Sequence, residues 1–389
     1  MTATSRSRSR SRTFRTEVPE LDAAIAAARR DAVVMWRGER IAFDELPDRI
    51  ARTDGRGERD GLFAGWIEAL ERMNPQYAER LDRWRKASAA SGIGDLATAL
   101  AGGRDLEELS LDLERLAIHS ETVYYAALRR YLALIDIEQG DATVADLWHV
   151  VRGAAWGHWF GERELDRAAA SAGREIAAGA HGRGWRSAES GLAGSDAGRT
   201  IPSGAIAEVY GTLAGDPGWL SRALRMSPDE IASFADFVAF VRLWRLRRSL
   251  AMAQYELRLY RADDPALQRA YFSGIVGHAT GVEVAEAAYL HEVATPFSSV
   301  AEIERTMLAG AVASTVEHRF GREWWANEQA RELLAELAVA PSTEDALAQL
   351  GYDALDWRPV VRQIRTRLIG EMSGYGGPNI TTRAGTRKV

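Results

Sequence analysis

The chain has 389 residues, 46% of them apolar, and its 49 Lys and Arg stand against 55 Asp and Glu for a net charge of -6. That balance supplies no general attraction for nucleic acid or an anionic membrane, and the length allows two domains or one large helical one. With no cysteine in the chain, disulfides, thiolate metal sites and a thiol nucleophile are excluded, which fits a reducing cytoplasm, and no run of about 18 apolar residues is present to span a bilayer.

Residues 1–16 alternate Ser and Arg and carry five arginines without an acid. This reads as a disordered tail, either a solubilising extension or an arm for phosphate backbones, and the acidic body argues against nucleic acid as the partner. The Arg-rich start lacks the apolar segment of a signal peptide, so no export signal is expected. From Pro19 a short helix follows through Leu21, Ile25 and Ala28, then an extended piece, Val33 to Trp36, with a turn at Arg37-Gly38. Little sheet is expected beyond it. Between Gly61 and Lys86 the residues Leu62, Trp66, Leu70, Met73, Tyr77, Leu81 and Trp84 recur at helical steps, interrupted by Asn74-Pro75. The pattern predicts two helical pieces meeting at the proline. After Gly102-Gly103, Asp105 to Ile137 reads as one long amphipathic helix with Leu113, Leu116, Tyr124, Leu128 and Tyr131 turned inward. His149 and His158 lie nine apart in the next apolar segment, which is not the three- or four-residue spacing that puts two ligands on one helix face.

From Gly179 to Thr200 six glycines appear without sustained periodicity, the mark of a linker. Helical signal resumes at Ala205 to Leu213. The chain then reaches its most apolar helix, Ser227 to Arg261, with one buried stripe through Phe240, Leu243, Leu246, Leu250, Ala253 and Leu257 and another through Phe237, Val241, Trp244, Ala251 and Tyr255. Two stripes mean two buried faces. Ser227, Pro228 and Glu230 form a capping-box start and Asp264-Pro265 a stop. Unbroken, it measures roughly 50 Å, enough to cross a domain. Further helices are expected over Asp264 to Val276, around Glu286 to Leu290, over Glu302 to Arg319, over Asn327 to Leu337, from Ser342 to Gly351 and over Pro359 to Ile369. The fold class is mainly α. The expected organisation is a tail at 1–18, a helical half at 19–177, a Gly-rich linker at 178–200, a second helical half at 201–372 and a basic tail at 373–389.

The string LWRLRRSLAMAQYELRLY, Leu243 to Tyr260, resembles the helix that follows the active site in oligoendopeptidase-like, thimet-type zinc metallopeptidases. The flanking strings agree in order: AIAEVYGTLAGDPGWL from Ala205, ATGVEVAEAAYLHEVATPFSS from Ala279 and FGREWWANEQARELLAEL from Phe320. Upstream, FDELPDRIAR, LERMNPQYAERL and ADLWHVVRGAAWGHWF are similar to that family's helical half, so the resemblance runs from Phe43 to Ile369. It implies a zincin-like multi-helix scaffold with little or no sheet left.

The family's chemistry rests on a helix bearing HExxH, whose histidines converge on zinc while the Glu polarises water, and on a further Glu from the next helix. By the resemblance Glu208 takes the place of that further ligand. The sequence contains no HExxH; the Gly-rich stretch occupies its expected place, and Ala188-Glu189-Ser190-Gly191-Leu192 keeps only the Glu. His291-Glu292-Val293-Ala294-Thr295 is a half-match that aligns elsewhere, where the family shows an Asp and then substrate-binding tyrosines. This chain has Ala294, Phe297, Ser298 and Glu302 there. Zinc is therefore expected for the family and not for this chain, since one carboxylate cannot supply the usual three protein ligands.

The leading expectation is a pseudoenzyme in the cytoplasm that binds a peptide or protein, an active relative among the candidates, without zinc-dependent hydrolysis. The alternatives are a metal-free enzyme that reuses the old cavity for a small molecule, and a residual zinc peptidase. Candidate catalytic residues are Glu208, His278 and Tyr255, and candidate ligand-binding residues are Arg247, Arg248 and Tyr289. Arg247 and Arg248 sit on or beside buried stripes, where a guanidinium requires a carboxylate such as Glu256 or an anionic ligand.

Overall fold

The computed structural model describes residues 18–92, 95–100, 105–160, 200–293 and 295–372, without the side chains of 158, 160 and 369–372. The two tails, the Gly-rich stretch and Ala188 to Leu192 lie outside these residues. Helix α1 (Pro19–Asp31) leads into an antiparallel hairpin of β1 (Val33–Trp36) and β2 (Glu39–Ala42), with Val34 opposite Ile41 and Trp36 opposite Glu39. Arg37 and Gly38 both take positive φ, 51° and 84°, the type I′ geometry that matches strand twist. α2 (Leu46–Arg52) and α3 (Arg56–Ala90) follow.

Helix α3 runs through Pro75 as one helix of 35 residues, where the sequence pattern suggests two pieces. Proline in a helix interior costs about 3 kcal/mol. Against that stands a continuous buried stripe on both sides of it, from Leu62 and Trp66 to Leu81 and Trp84, and the Asn74 side chain anchors the site by donating to Ala287 O at 3.0 Å. The hairpin docks on α3 at two glycines one turn apart. A Cβ at Gly61 would fall 2.1 Å from the Trp36 ring and one at Gly65 would fall 2.6 Å from Val34, so only bare backbone admits the hairpin at this distance.

Next come α4 (Leu96–Leu100), α5 (Leu106–Ala133) and α6 (Val144–Val151). Asp105 caps α5 by accepting from Glu107 N and Glu108 N. Asp146, fully buried, closes the capping box of α6 and holds Arg59 of α3 at 2.8 Å. Arg59 also donates to Thr53 O and Asp54 O.

Helix α7 (Ile201–Thr212) is followed by a short helix, Pro217–Trp219, that opens into a π-helical turn, Leu220–Leu224. Then α8 (Pro228–Arg261) forms with the expected capping box, Ser227 and Glu230 bonding each other's backbone. It packs against α5, α9 (Arg269–Thr280), α10 (Ser298–Phe320) and α13 (Arg358–Met372). Helices α11 (Glu328–Ala338) and α12 (Thr343–Leu350) complete the order. One apolar cluster extends from Val18 to Leu368, so residues on both sides of the Gly-rich stretch share a core.

Two polar anchors hold α8. Asp236 accepts from Arg130 and from Tyr131 Oη of α5. Glu256, fully buried, accepts from Tyr260 Oη and from the amide of Phe297, the left-handed residue that begins α10. Burial pushes the Glu256 carboxyl up to about 7, opposed by those two hydrogen bonds and one from Ser299. Among the described residues no helix is long and apolar enough to cross a membrane.

Candidate functional site

Helix α8 presents different chemistry on its two sides. At about 100° per residue, Arg242, Arg245 and Arg248 fall on one face, and Arg247, Leu250, Ala251, Gln254 and Leu257 on the opposite one. The first face meets α10, which in turn packs against α7. Gly204 lets α7 approach closely, since a Cβ there would lie 2.4 Å from Arg305 Cδ. Four arginines and three glutamates assemble at this junction. Glu302 receives Arg245 at 3.2 Å and Arg305 at 2.8 Å, and Glu292 pairs with Arg248. Thr306 Oγ1 donates to Glu208 Oε2 at 3.1 Å.

The cluster sets its own ionisation. Burial pushes the Glu302 carboxyl up, but Arg245, Arg305 and Arg248 outweigh it and hold the group below the usual carboxylate range. Burial raises Glu208, which Arg242 opposes and Glu302 reinforces. Burial lowers Arg242, and Glu208 counters it. Arg242 is half-buried, and its Nη2 is sealed from solvent without a hydrogen-bond partner among the described residues.

The second face forms the floor of a groove of about 810 Å³ between α5, α8 and α9. Leu250, Ala251, Leu257 and Ile275 supply apolar surface, and Glu114, Glu121, Arg258 and Arg261 lie around it. Arg258 stacks 4.0 Å over the Tyr271 ring and donates to Gln268 at 2.9 Å. Arg247 lies beneath, buried, and no carboxylate among the described residues forms an ion pair with it. Its Nε donates to Ala279 O at 2.8 Å and its Nη1 to Ala117 O and Ser120 Oγ at 2.8 and 2.9 Å, while the rings of Tyr124 and Tyr125 lie 5.1 and 5.6 Å away. Ala279 is in the last turn of α9, so the guanidinium meets a helix C-terminus whose last carbonyls lack helical donors. Tyr124 and Tyr125 donate to the neighbouring carbonyls of Thr280 and His278. The carboxylate partner expected from the sequence is replaced by carbonyls and rings.

The candidate residues do not share one cavity. Glu208 and Arg248 belong to the charged junction. Arg247 and His278 belong to the groove, with His278 exposed and 3.9 Å from Glu121. Tyr255 is in the core, its ring 5.0 Å from Phe272 and its hydroxyl without a hydrogen-bond partner among the described residues, and burial raises its pKa. Tyr289 is buried too, beneath the Arg269 guanidinium at 5.3 Å. His291 packs edge-on to Phe43, Trp66 and Tyr77, with Tyr77 Oη 3.2 Å from its Nδ1. Burial takes that imidazole down to about 4. Sequence reading missed Arg242, Arg245 and Arg305. The available signal was the three-residue spacing of Arg242, Arg245 and Arg248 on a helix whose other faces are apolar.

The zinc that the resemblance implies at Glu208 does not fit these surroundings. Glu208 faces arginines and a threonine, and among the described residues no three His, Cys, Asp or Glu side chains stand close enough to share a metal.

Comparison with solved structures places the fold. Oligoendopeptidase-F from Enterococcus faecium superposes with a TM-score of 0.61 at 13% identity, over 91% of this chain and 71% of that one. The fold is oligoendopeptidase-like. No protein-family model and no curated protein matches the sequence. At this identity the likeness speaks for the mainly α architecture alone.

Proposed function

We propose that this chain is a metallopeptidase-derived scaffold that binds a peptide or protein segment without hydrolysing it. The groove between α5, α8 and α9 carries the reading. Its volume, about 810 Å³, falls within the roughly 300–1,000 Å³ of ligand sites. An apolar floor with acidic groups on α5 and basic groups on α8 suits a short segment that lays apolar side chains inward and offers charges to both edges. Ile118, 63% exposed, extends the apolar surface at one lip. The non-hydrolytic part is supported by the sequence, which has no HExxH, and by the arginines around Glu208, which stand where the resemblance expects a zinc ligand.

The test incubates the tag-free full chain with a fluorescent peptide library, with and without zinc, and follows binding by anisotropy and peptide integrity by mass spectrometry. Saturable, zinc-independent binding of intact peptides, weakened in Ile118→Glu, is the expected result. Zinc-dependent cleavage would restore the peptidase reading, and absence of binding would remove the scaffold reading.

A further inference from the structure

We propose that the groove between α5, α8 and α9 takes an amphipathic helix of a partner protein, laid parallel to α8 with its N-terminus toward Glu121 and its C-terminus toward Arg261. The inference rests on the segment-binding reading of that groove and adds the segment's conformation, direction and charge pattern. The conformation follows from what the walls offer. They are helical, so their backbone groups bond within each element and no strand edge is open to an extended chain. The last carbonyls of α9 are taken as well, by Arg247, Tyr124 and Tyr125. A segment that buries apolar side chains on Leu250, Leu257 and Ile275 has to bond its own backbone, and a helix does so along its length.

Direction and charge follow from the register of the walls. Arg247 of α8 reaches Ala117 of α5 and Ala279 of α9, while farther along Tyr131 of α5 meets Phe237, and Arg258 meets Tyr271 of α9. Both walls therefore run antiparallel to α8. A fourth helix parallel to α8 is antiparallel to each wall, as in an up-and-down bundle. One end of the groove carries Glu121 and His278, 3.9 Å apart, with Glu114 about two turns along the same wall. Counting the buried Arg247 beneath them, this end is still net negative, whereas the other end carries Arg258 and Arg261. A helix has partial positive charge at its N-terminus and partial negative charge at its C-terminus, which sets the N-terminus at the acidic end and the C-terminus at the basic one. For side chains the match is Lys or Arg in the first half of the segment and Asp or Glu in the second. From Arg247 to Arg261 the floor measures roughly 21 Å, the length of about 14 helical residues.

The probe is a fluorescent peptide of about 14 residues, capped at both ends, with leucine at every third or fourth position, lysine beside the leucine stripe in its first half and glutamate in its second, locked as a helix by side-chain lactam links. A companion probe has the same sequence with two central prolines, which prevent the helix. Binding to the tag-free full chain is followed by anisotropy. The locked helix should bind saturably and at least about tenfold more tightly than the proline probe. Glu114→Lys and Arg261→Glu, both at exposed positions, should each weaken it about 3–10-fold. Glutamate in the first half of the probe should restore affinity for Glu114→Lys and not for Arg261→Glu, and lysine in the second half should do the reverse. Restoration in the crossed pattern would overturn the direction, and affinity unchanged by both substitutions would overturn the charge pattern. Equal or tighter binding of the proline probe, or failure of the locked helix while peptides of the library still bind, would overturn the helix and leave the groove as a site for extended segments. Failure of every peptide would remove the segment-binding reading as well.

Discussion

His291→Phe should flatten the acid side of the stability profile. The imidazole sits among Phe43, Trp66 and Tyr77, and burial carries its pKa from 6.5 to about 4. In the unfolded chain the same ring titrates near 6.5. The folded value is depressed, so the unfolded state binds the proton first. The stabilisation is complete above about 6.5 and is lost as pH falls toward 4. The full span is worth roughly 3 kcal/mol at about 1.36 kcal/mol per pH unit, and roughly 2 kcal/mol of it falls between pH 7 and pH 4.5.

Phenylalanine keeps the packing and removes the titration, though it strands the Tyr77 hydroxyl at a cost of about 1–3 kcal/mol that does not vary with pH in this range. The informative quantity is therefore the change between the two pH values. Urea unfolding followed by far-ultraviolet circular dichroism at both, for parent and variant, supplies it. The parent should lose roughly 2 kcal/mol more than His291→Phe on acidification. Equal losses would mean that the ring is accessible to protons in the folded state, and the enclosed aromatic setting would be wrong.

Glu256 should show the opposite sign: its folded pKa of about 7 lies above the ordinary 4.5, so its stabilisation is complete below about 4.5 and lost as pH rises through about 7. Glu256→Gln should accordingly gain on the parent by up to roughly 3 kcal/mol between pH 5 and pH 8.5 in urea titrations, and a difference independent of pH would refute this. Gly61→Ala should destabilise by about 1–3 kcal/mol because its Cβ would meet Trp36, whereas Gly57→Ala, with open space around it, should stabilise by up to about 1 kcal/mol; equal effects in denaturant unfolding would discard the hairpin docking. Asp146→Ala strands the buried Arg59 and should cost about 3–5 kcal/mol, while Arg59→Met combined with Asp146→Leu should cost less than the single change, both read by thermal unfolding.

Much of this architecture is local information. The capping box at Ser227, the caps at Asp105, Asn327 and Ser342 and the left-handed Gly351 mark helix ends within a few residues of where they fall. The tight hairpin at Arg37-Gly38 is equally local. Gly61 and Gly65 are not, because a glycine inside a helical pattern looks like a tolerated flaw until the strand that needs its bare backbone is in place. Pro75 misleads for the same reason: its cost is local, whereas the burial that outweighs it lies on either side and in the Ala287 contact.

The arginines of α8 show most sharply where sequence information ends. Spacing alone puts Arg242, Arg245, Arg247 and Arg248 in or beside buried surface, and chemistry alone says each requires an acceptor. Which acceptor is a tertiary fact. Arg247 finds the open end of α9, Arg245 and Arg248 find glutamates 57 and 44 residues along the chain, and Arg242 feels the charge of Glu208 while its Nη2 has no hydrogen-bond partner among the described residues. A reader of the sequence who assigns a carboxylate to Arg247 and looks for catalysis around Glu208, Tyr255 and His278 is treating one helix as one site. The helix has two faces with different demands. The face toward α5 and α9 is already satisfied and leaves an apolar groove, and the face toward α10 is taken up by arginine–glutamate pairs. Binding chemistry is therefore to be sought on the groove side, where apolar surface lies open between α5, α8 and α9.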